Sequence, residues 1–491
     1  MGNNKTRENA QISKITSNST SSSGGVGRFG SQSAAASSSA SNGFLRNESA
    51  SSSFIVSNRE LNSVIVGSKM DSEIYLYGYT STLYYDGINP GCGVTKIIDN
   101  INSDDVIRSR DLCVQSENNG LSAVKLILKH TLVYKVISGR LHSHIITADG
   151  RILSFGSNNH GQLGCGVVGS LKASYGIVRA TGEITNHFII DGAAGGYHSL
   201  FITSENKVFS VGGNSSRQLG VITTDSTATA TAIEIPEQSF DGRKVVACSA
   251  GDSHSCFLTS CGNIYFAGSN SNGACAGNSG NNRPILLVNE ILANEFPIQI
   301  SCGYDNTMIL CQSGNIYGVG CNSCGQLATD DGDHTNFGDI RKIYNGVKGI
   351  VWIGSGYFCS AVCAEDECYF APSQTTYSKL SKINPNAIAV GVGDSIIFAT
   401  NEINQNGKFG KLYVMSSGKA TDITGDFSID SVSSKIEFSG QRDVYIAYVS
   451  KFDPAFMISH HFLHLEKILD FVKGNSSQYS GSTVFSDIQI Q

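Results

Sequence analysis

Residues 139–164 read GRLHSHIITADGRILSFGSNNHGQLG, and the fold turns on whether this stretch is one of a series. Taking Gly139 as an anchor, equivalent glycines follow at Gly195, Gly251 and Gly303, spaced 56, 56 and 52 residues apart. Three residues after each anchor stand His142, His198, His254 and Asn306. Eleven after it stand Gly150, Asn206, Gly262 and Gly314, residue types suited to a tight hairpin that needs positive φ. Gly156, Gly212, Gly268 and Gly320 follow at offset 17, and Asn158, Asn214, Asn270 and Asn322 at offset 19. Offset 22 holds Gly161, Arg217, Gly273 and Gly325. Four copies agree at these offsets without a gap.

Between the punctuation lie short runs such as HIITA, LFITS, ILSFG and IYFAG, rich in β-branched and aromatic residues. A period near 50 built from short strands predicts propeller blades rather than a helical solenoid. Weaker copies anchor at Gly356 with Cys359 in the histidine place, at Gly393 with Ile396, and at Gly440 with Asp443. The last copy has no outer half. Residues 73–85, EIYLYGYTSTLYY, are an outer half with no anchor before it. Pairing these two halves in one sheet would close the ring and remove its open edges. The expectation is therefore an all-β chain: a seven-bladed β-propeller over residues 54–451, closed by an N-terminal strand.

The flanks read differently. Residues 1–53 are Ser-rich and of low complexity, with segments such as SQSAAASSSASNG, too poor in apolar surface to order themselves. Their opening, MGNNKT, fits an acylation pattern at Gly2, and one acyl chain gives only weak, reversible membrane attachment. Residues 452–491 hold a predicted short helix: Asp453 as cap, Pro454 at its first position, Gly474 at its stop, and an apolar stripe of Phe462, Leu465, Leu469 and Val472. His460 and His464, one turn apart on it, form a metal pair only on paper, since no Glu follows the first histidine.

The 491 residues carry a net charge of −6, which offers nucleic acid no overall attraction. No apolar stretch resembles a signal peptide or is long enough to span a bilayer, so the 14 cysteines are expected as thiols inside the cell, in cytoplasm or nucleus. Cys321 and Cys324 make a Cys-x-x-Cys, and Cys359, Cys363 and Cys368 follow. The places of Cys321 and Cys324 in the repeat's turn, where sister copies carry Ser or Asn, favour small buried hydrophobes over a metal site.

The segments SGRLHSHIITADGRILSFGSNNHGQLG, AGGYHSLFITSENKVFSVGGNSSRQLG and AGDSHSCFLTSCGNIYFAGSNSNG resemble the regulator of chromosome condensation family of propellers. A single Trp, Trp352, sets the chain apart from propellers with a Trp-Asp signature. The resemblance implies the propeller fold, and two classes of function. One is a non-catalytic protein-interaction scaffold. The other is a guanine-nucleotide exchange factor for a Ran-like small GTPase, which acts through a hairpin protruding from one face. The long loops at 221–243 and 277–297 qualify for that hairpin by length alone. The repeat-structural residues are Gly139, His142, Gly195, His198, Gly251, His254, Gly303, Gly356, Gly393 and Gly440. The histidines lie in different blades, and their structural reading is that each imidazole satisfies backbone groups where strands meet. No nucleophile elbow, phosphate-cradling loop or paired-carboxylate motif stands out, so no enzyme activity, cofactor or metal is expected and the partner is a protein.

Overall fold

The structure is a computed structural model. It describes residues 72–79, 88–89, 93–94, 106–107, 113–114, 121–128, 133–169, 178–223, 227–277, 283–329, 335–344, 349–364, 368–371, 381–382, 387–392, 396–403, 409–416, 419–422, 435–441 and 444–450, with side chains almost entirely between 133 and 371. The tail 1–53, Gly2, Gly393 and the expected helix with His460 and His464 lie outside the described residues.

Five four-stranded antiparallel sheets follow one another along the chain. In the first, Val133–Ser138, His142–Thr147, Ile152–Gly156 and Val178–Arg179 pair in sequence order. The second, third, fourth and fifth occupy residues 189–235, 245–286, 297–343 and 350–382 in the same order. This up-and-down order, repeated, makes an all-β propeller. Seven blades are expected from the sequence. Described down to their side chains there are five. Beyond them, backbone pairing defines a sheet over residues 387–422 and another in which Ser72–Tyr79 lies between Val444–Ser450 and Leu121–Leu128. The innermost strand of that sheet, Lys435–Gln441, contains Gly440, which pairs with Tyr445.

The second strand of each of the first four blades is buried along its whole length, as in His198–Thr203 and His254–Thr259. Both of its faces are covered, because each core cluster straddles two blades. Ile137, Ile146 and Ile152 of the first blade pack with Phe201, Phe209 and Val211 of the second. Leu200 and Val208 of the second pack with Phe257 and Tyr265 of the third. Cys256 and Phe266 then meet Ile309 and Tyr317 of the fourth, and Met308 and Leu310 meet Ile353 and Val362 of the fifth. Burying one such Phe or Leu contributes about 1.5–3 kcal/mol. A blade taken from its neighbours would expose both faces.

The innermost strands of the five blades carry a β-bulge in the same place, with one extra residue before pairing resumes, at Tyr134, Ile190, Val246, Ile298 and Val351, as does that of the following sheet at Ile388, whereas Lys435–Gln441 pairs without a shift. All are apolar and all stand five residues before their anchor. A bulge bends a strand where it leaves the ladder, which here happens at the end remote from the anchors.

The cysteines correct one expectation. Cys363 and Cys368 face each other across the fifth-blade hairpin and are joined by a disulfide, with Cα atoms 4.0 Å apart. The strand register places their sulfurs together, a proximity that spacing alone did not reveal. The other ten cysteines described are thiols.

Candidate interaction face

The anchor glycine opens the turn from the first to the second strand. Its N–H donates to the carbonyl three residues on: Gly139 to His142, Gly195 to His198, Gly251 to His254 and Gly303 to Asn306, each at 2.8 Å, and Gly356 to Cys359 at 2.9 Å. Glycine is required here by close approach. A Cβ on Gly139 would lie 2.5 Å from the His142 ring and 2.6 Å from the carbonyl oxygen of Gly195 in the next blade. On Gly195 it would meet Gly251 O at 2.3 Å, and on Gly303 it would meet Gly356 O at 2.2 Å. The anchors thus form a chain of backbone contacts from blade to blade.

The histidines reach further than backbone groups. Nε2 of His142 lies 2.9 Å from Ser199 Oγ of the second blade, Nε2 of His198 lies 2.8 Å from Ser255 Oγ of the third, and Nε2 of His254 lies 3.0 Å from Thr307 Oγ1 of the fourth. Asn306 donates through Nδ2 to Ser355 Oγ at 2.7 Å. Each receiving hydroxyl spends its own proton on the preceding blade: Ser199 on Gln162 O at 3.0 Å, Ser255 on Gln218 O at 2.7 Å, Thr307 on Ala274 O at 3.1 Å. It must therefore accept from the imidazole, which fixes the Nε2–H tautomer. The histidines act as pegs between blades.

Burial sets their titration. It lowers the pKa of His142 to about 3, against a smaller raising contribution from the His198 backbone, and that of His198 to about 3, aided by His142 and His254. His144, whose Nδ1 and Nε2 sit 2.8 Å from Ser154 Oγ and Ser199 Oγ, is held well below 6.5, by burial first and then by His142. His254 differs. Burial opposes its charge, but Cys302 and the carboxylates of Asp305 and Asp252 outweigh that and raise its pKa.

The outer turns are tied by side chains of the repeat. Asn158, Asn214, Asn270 and Asn322 accept through Oδ1 from the N–H groups of Leu163, Leu219, Cys275 and Leu327, at 2.8–3.1 Å. Gln162, Gln218 and Gln326 accept from His160, Ser216 and Cys324, all at 2.9 Å. Cys321 and Cys324 are half-buried in such a turn. Among the described residues no group of three or more ligating side chains could hold a metal ion.

Between anchor and histidine lie two residues whose side chains the fold does not use as pegs: Arg140 and Leu141, Gly196 and Tyr197, Asp252 and Ser253, Tyr304 and Asp305, Tyr357 and Phe358. These are the turn tips at one end of five consecutive blades. Arg140 donates through Nη1 to Tyr197 OH at 2.9 Å and to Asp252 Oδ1 at 3.4 Å. His160 packs edge-on to Tyr197 with ring centres 4.9 Å apart. Tyr304 and Tyr357 lie 4.0 Å apart, and Phe358 continues the cluster at 4.0 Å from Tyr357. Burial, the Tyr357 hydroxyl and Asp252 push Tyr304 up to about 12. Burial likewise raises the Asp305 pKa, although Asn272 donates to Asp305 at 3.0 Å. The result is an acidic and aromatic patch over the third to fifth blades. Sequence reading missed these residues because they are what the repeat leaves variable.

Known proteins share the pattern. The signature of the "Regulator of chromosome condensation (RCC1) repeat" matches residues 189–218, 205–258 and 298–326. The chain is 33% identical over 209 residues to the human "Probable E3 ubiquitin-protein ligase HERC6", covering 40% of this chain and 19% of that protein. It is 29% identical over 230 residues to the "Regulator of chromosome condensation" of Xenopus laevis, covering 46% of this chain and 50% of that protein. The matches thus span from about a fifth to half of these relatives. Among solved structures, human WBSCR16 superposes with a TM-score of 0.57 at 19% identity, over 78% of this chain and 99% of that one. Prp20p of Saccharomyces cerevisiae, described with its binding to Gsp1p and histones, superposes with a TM-score of 0.56 at 15% identity, over 83% and 96%. Anchors, pegs, turn glycines and these matches agree: the chain carries regulator of chromosome condensation repeats on a β-propeller fold.

Proposed function

We propose that this chain is a non-catalytic protein-interaction scaffold, and that its partner docks on the turn tips of the third to fifth blades. One observation carries the reading: Tyr304, Asp305, Tyr357 and Phe358, with Asp252 largely buried against Arg140, make an acidic and aromatic surface on positions that the repeat leaves variable. Aromatic rings with an apolar body and a polar tip suit protein recognition. In this reading the propeller has seven blades. Support comes from the innermost strands: Ala387–Val392 neighbours Lys435–Gln441, which in turn neighbours Val133–Ser138. Pairing of Ile74 with Tyr448 supports closure by the N-terminal strand. The domain limits 1–53, 54–451 and 452–491 belong to the same proposal, with the tail and Gly2 governing location.

The second reading, an exchange factor for a Ran-like small GTPase, is favoured by the likeness to the Xenopus regulator. The two readings separate in one assay. A Ran-like GTPase loaded with fluorescent nucleotide is mixed with the full chain and release is followed. The scaffold reading expects the intrinsic rate. Acceleration by orders of magnitude, lost in Asp252→Lys, would replace it with the exchange reading.

A further inference from the structure

Five of the nine large apolar side chains left exposed among the described residues, Val288, Ile291, Phe296, Ile298 and Val351, belong to the end of the third to fifth blades remote from the anchors. Val288 and Ile291 lie on the link between the third and fourth blades, and Val288 is 86% exposed. Phe296 stands over the third-blade hairpin, where a Cβ on Gly262 would be 3.1 Å from its ring. Ile298 and Val351 are bulge residues, 48% and 56% exposed. The bulge residues Tyr134, Ile190 and Val246 of the first three blades instead pack against core clusters. Among the described residues, the exposed large apolar side chains at this end of the blades therefore fall in one sector, and a surface of that kind marks an interface.

The chain supplies an occupant. Ser450, the last residue of its strand, pairs with Lys435, which stands five residues before Gly440, the same offset as Ile298 and Val351. Residues 451–491 therefore start from the end of the blades that bears the patch. This step rests on the ring reading. Within that segment, residues 454–473 have the cap, stop and apolar stripe of an amphipathic helix. As a helix they would span about 30 Å, and Lys451–Asp453 adds about 10 Å of reach. A helix of this length is marginal alone in water and needs its apolar face buried. A short tether gives it an effective concentration in the mM range, ahead of any partner in solution.

We propose that residues 454–474 fold back as a helix whose stripe of Phe462, Leu465, Leu469 and Val472 covers Val288, Ile291, Phe296, Ile298 and Val351. The test is hydrogen exchange of the full chain, read by mass spectrometry, with a photo-crosslinking residue at Val288 in a parallel sample mixed with isotope-labelled chains. Amides 458–472 are expected to exchange at least 100-fold more slowly than unstructured peptide. Val351→Asp and Leu465→Asp are each expected to cut that protection at least tenfold, with the blade strands unchanged. Crosslinks should join Val288 to residues 454–474 of the same chain. Free exchange of 458–472, protection indifferent to Val351→Asp, absence of crosslinks, or crosslinks only between labelled and unlabelled chains would each overturn the proposal. Amides 74–78 report separately on ring closure. Rapid exchange there would sink the ring reading and leave the helix question to be read from its own amides.

Discussion

Ser199 Oγ sits 2.9 Å from Nε2 of His142 and 2.8 Å from Nε2 of His144, and its own proton goes to Gln162 O at 3.0 Å. One buried hydroxyl of the second blade thus serves three groups of the first. Ser199→Ala would strand two N–H donors and a carbonyl away from water. Each buried orphan costs about 1–3 kcal/mol, so a loss of about 3 kcal/mol or more is expected in urea unfolding. A variant within 0.5 kcal/mol of the parent would mean that water or a rotamer change serves these groups.

The buried histidines set the direction of acid sensitivity. The pKa values of His142 and His198, about 3 when folded, lie below the ordinary 6.5, and His144 is lowered too. Between those limits the unfolded chain binds more protons, so stability rises with pH there and is fully present above 6.5. It falls as pH drops from 6.5 towards 3, at about 1.4 kcal/mol per pH unit for each histidine. His254, raised when folded, contributes in the opposite sense, stabilising at acid pH and losing that as pH rises through its folded pKa. Urea midpoints at pH 7 and pH 5 test the balance, and a higher midpoint at pH 5 would contradict it.

Two glycine replacements separate steric from conformational cost. Gly139→Ala places a methyl 2.5 Å from the His142 ring and 2.6 Å from Gly195 O. Overpacking against backbone cannot relax cheaply and costs about 1–3 kcal/mol or more. Gly314→Ala meets nothing within 4 Å and suffers only its φ of +81°, about 1 kcal/mol. Thermal unfolding should rank them in that order.

The Cys363–Cys368 bridge closes a short loop in the fifth blade. Closing a loop of this size stabilises by about 2 kcal/mol on chain-entropy grounds. Alkylation without reductant should spare both cysteines and label the exposed Cys261. Equal labelling of Cys363 and Cys261 would show the bridge absent.

Much of the architecture could be read from glycine. The offset-17 glycines share φ values of 104–107°, and the offset-22 position is left-handed even where it holds Arg217, at φ 65°. Backbone demands of that kind write themselves into residue type. The peg partners were half visible: the Ser after each His recurs, but nothing in one repeat says that its hydroxyl belongs to the neighbour's imidazole. The bulges were hidden because an extra apolar residue looks like any other in an apolar run. The turn-tip patch was illegible for a different reason. Asp252, Tyr304 and Tyr357 follow no rule of the repeat, and their proximity appears only when the blades stand side by side.

The pairing of Gly78 with Val444 joins positions about 370 residues apart. At a ribosomal rate of about 5–20 residues per second, the first strand waits about 20–70 seconds for its partner to be made. During that interval Ser72–Tyr79 has an open edge on a nascent chain, a state prone to wrong pairing and suited to chaperone capture. Fusions or truncations that delay or remove residues 444–450 should therefore show their first effect in yield during synthesis.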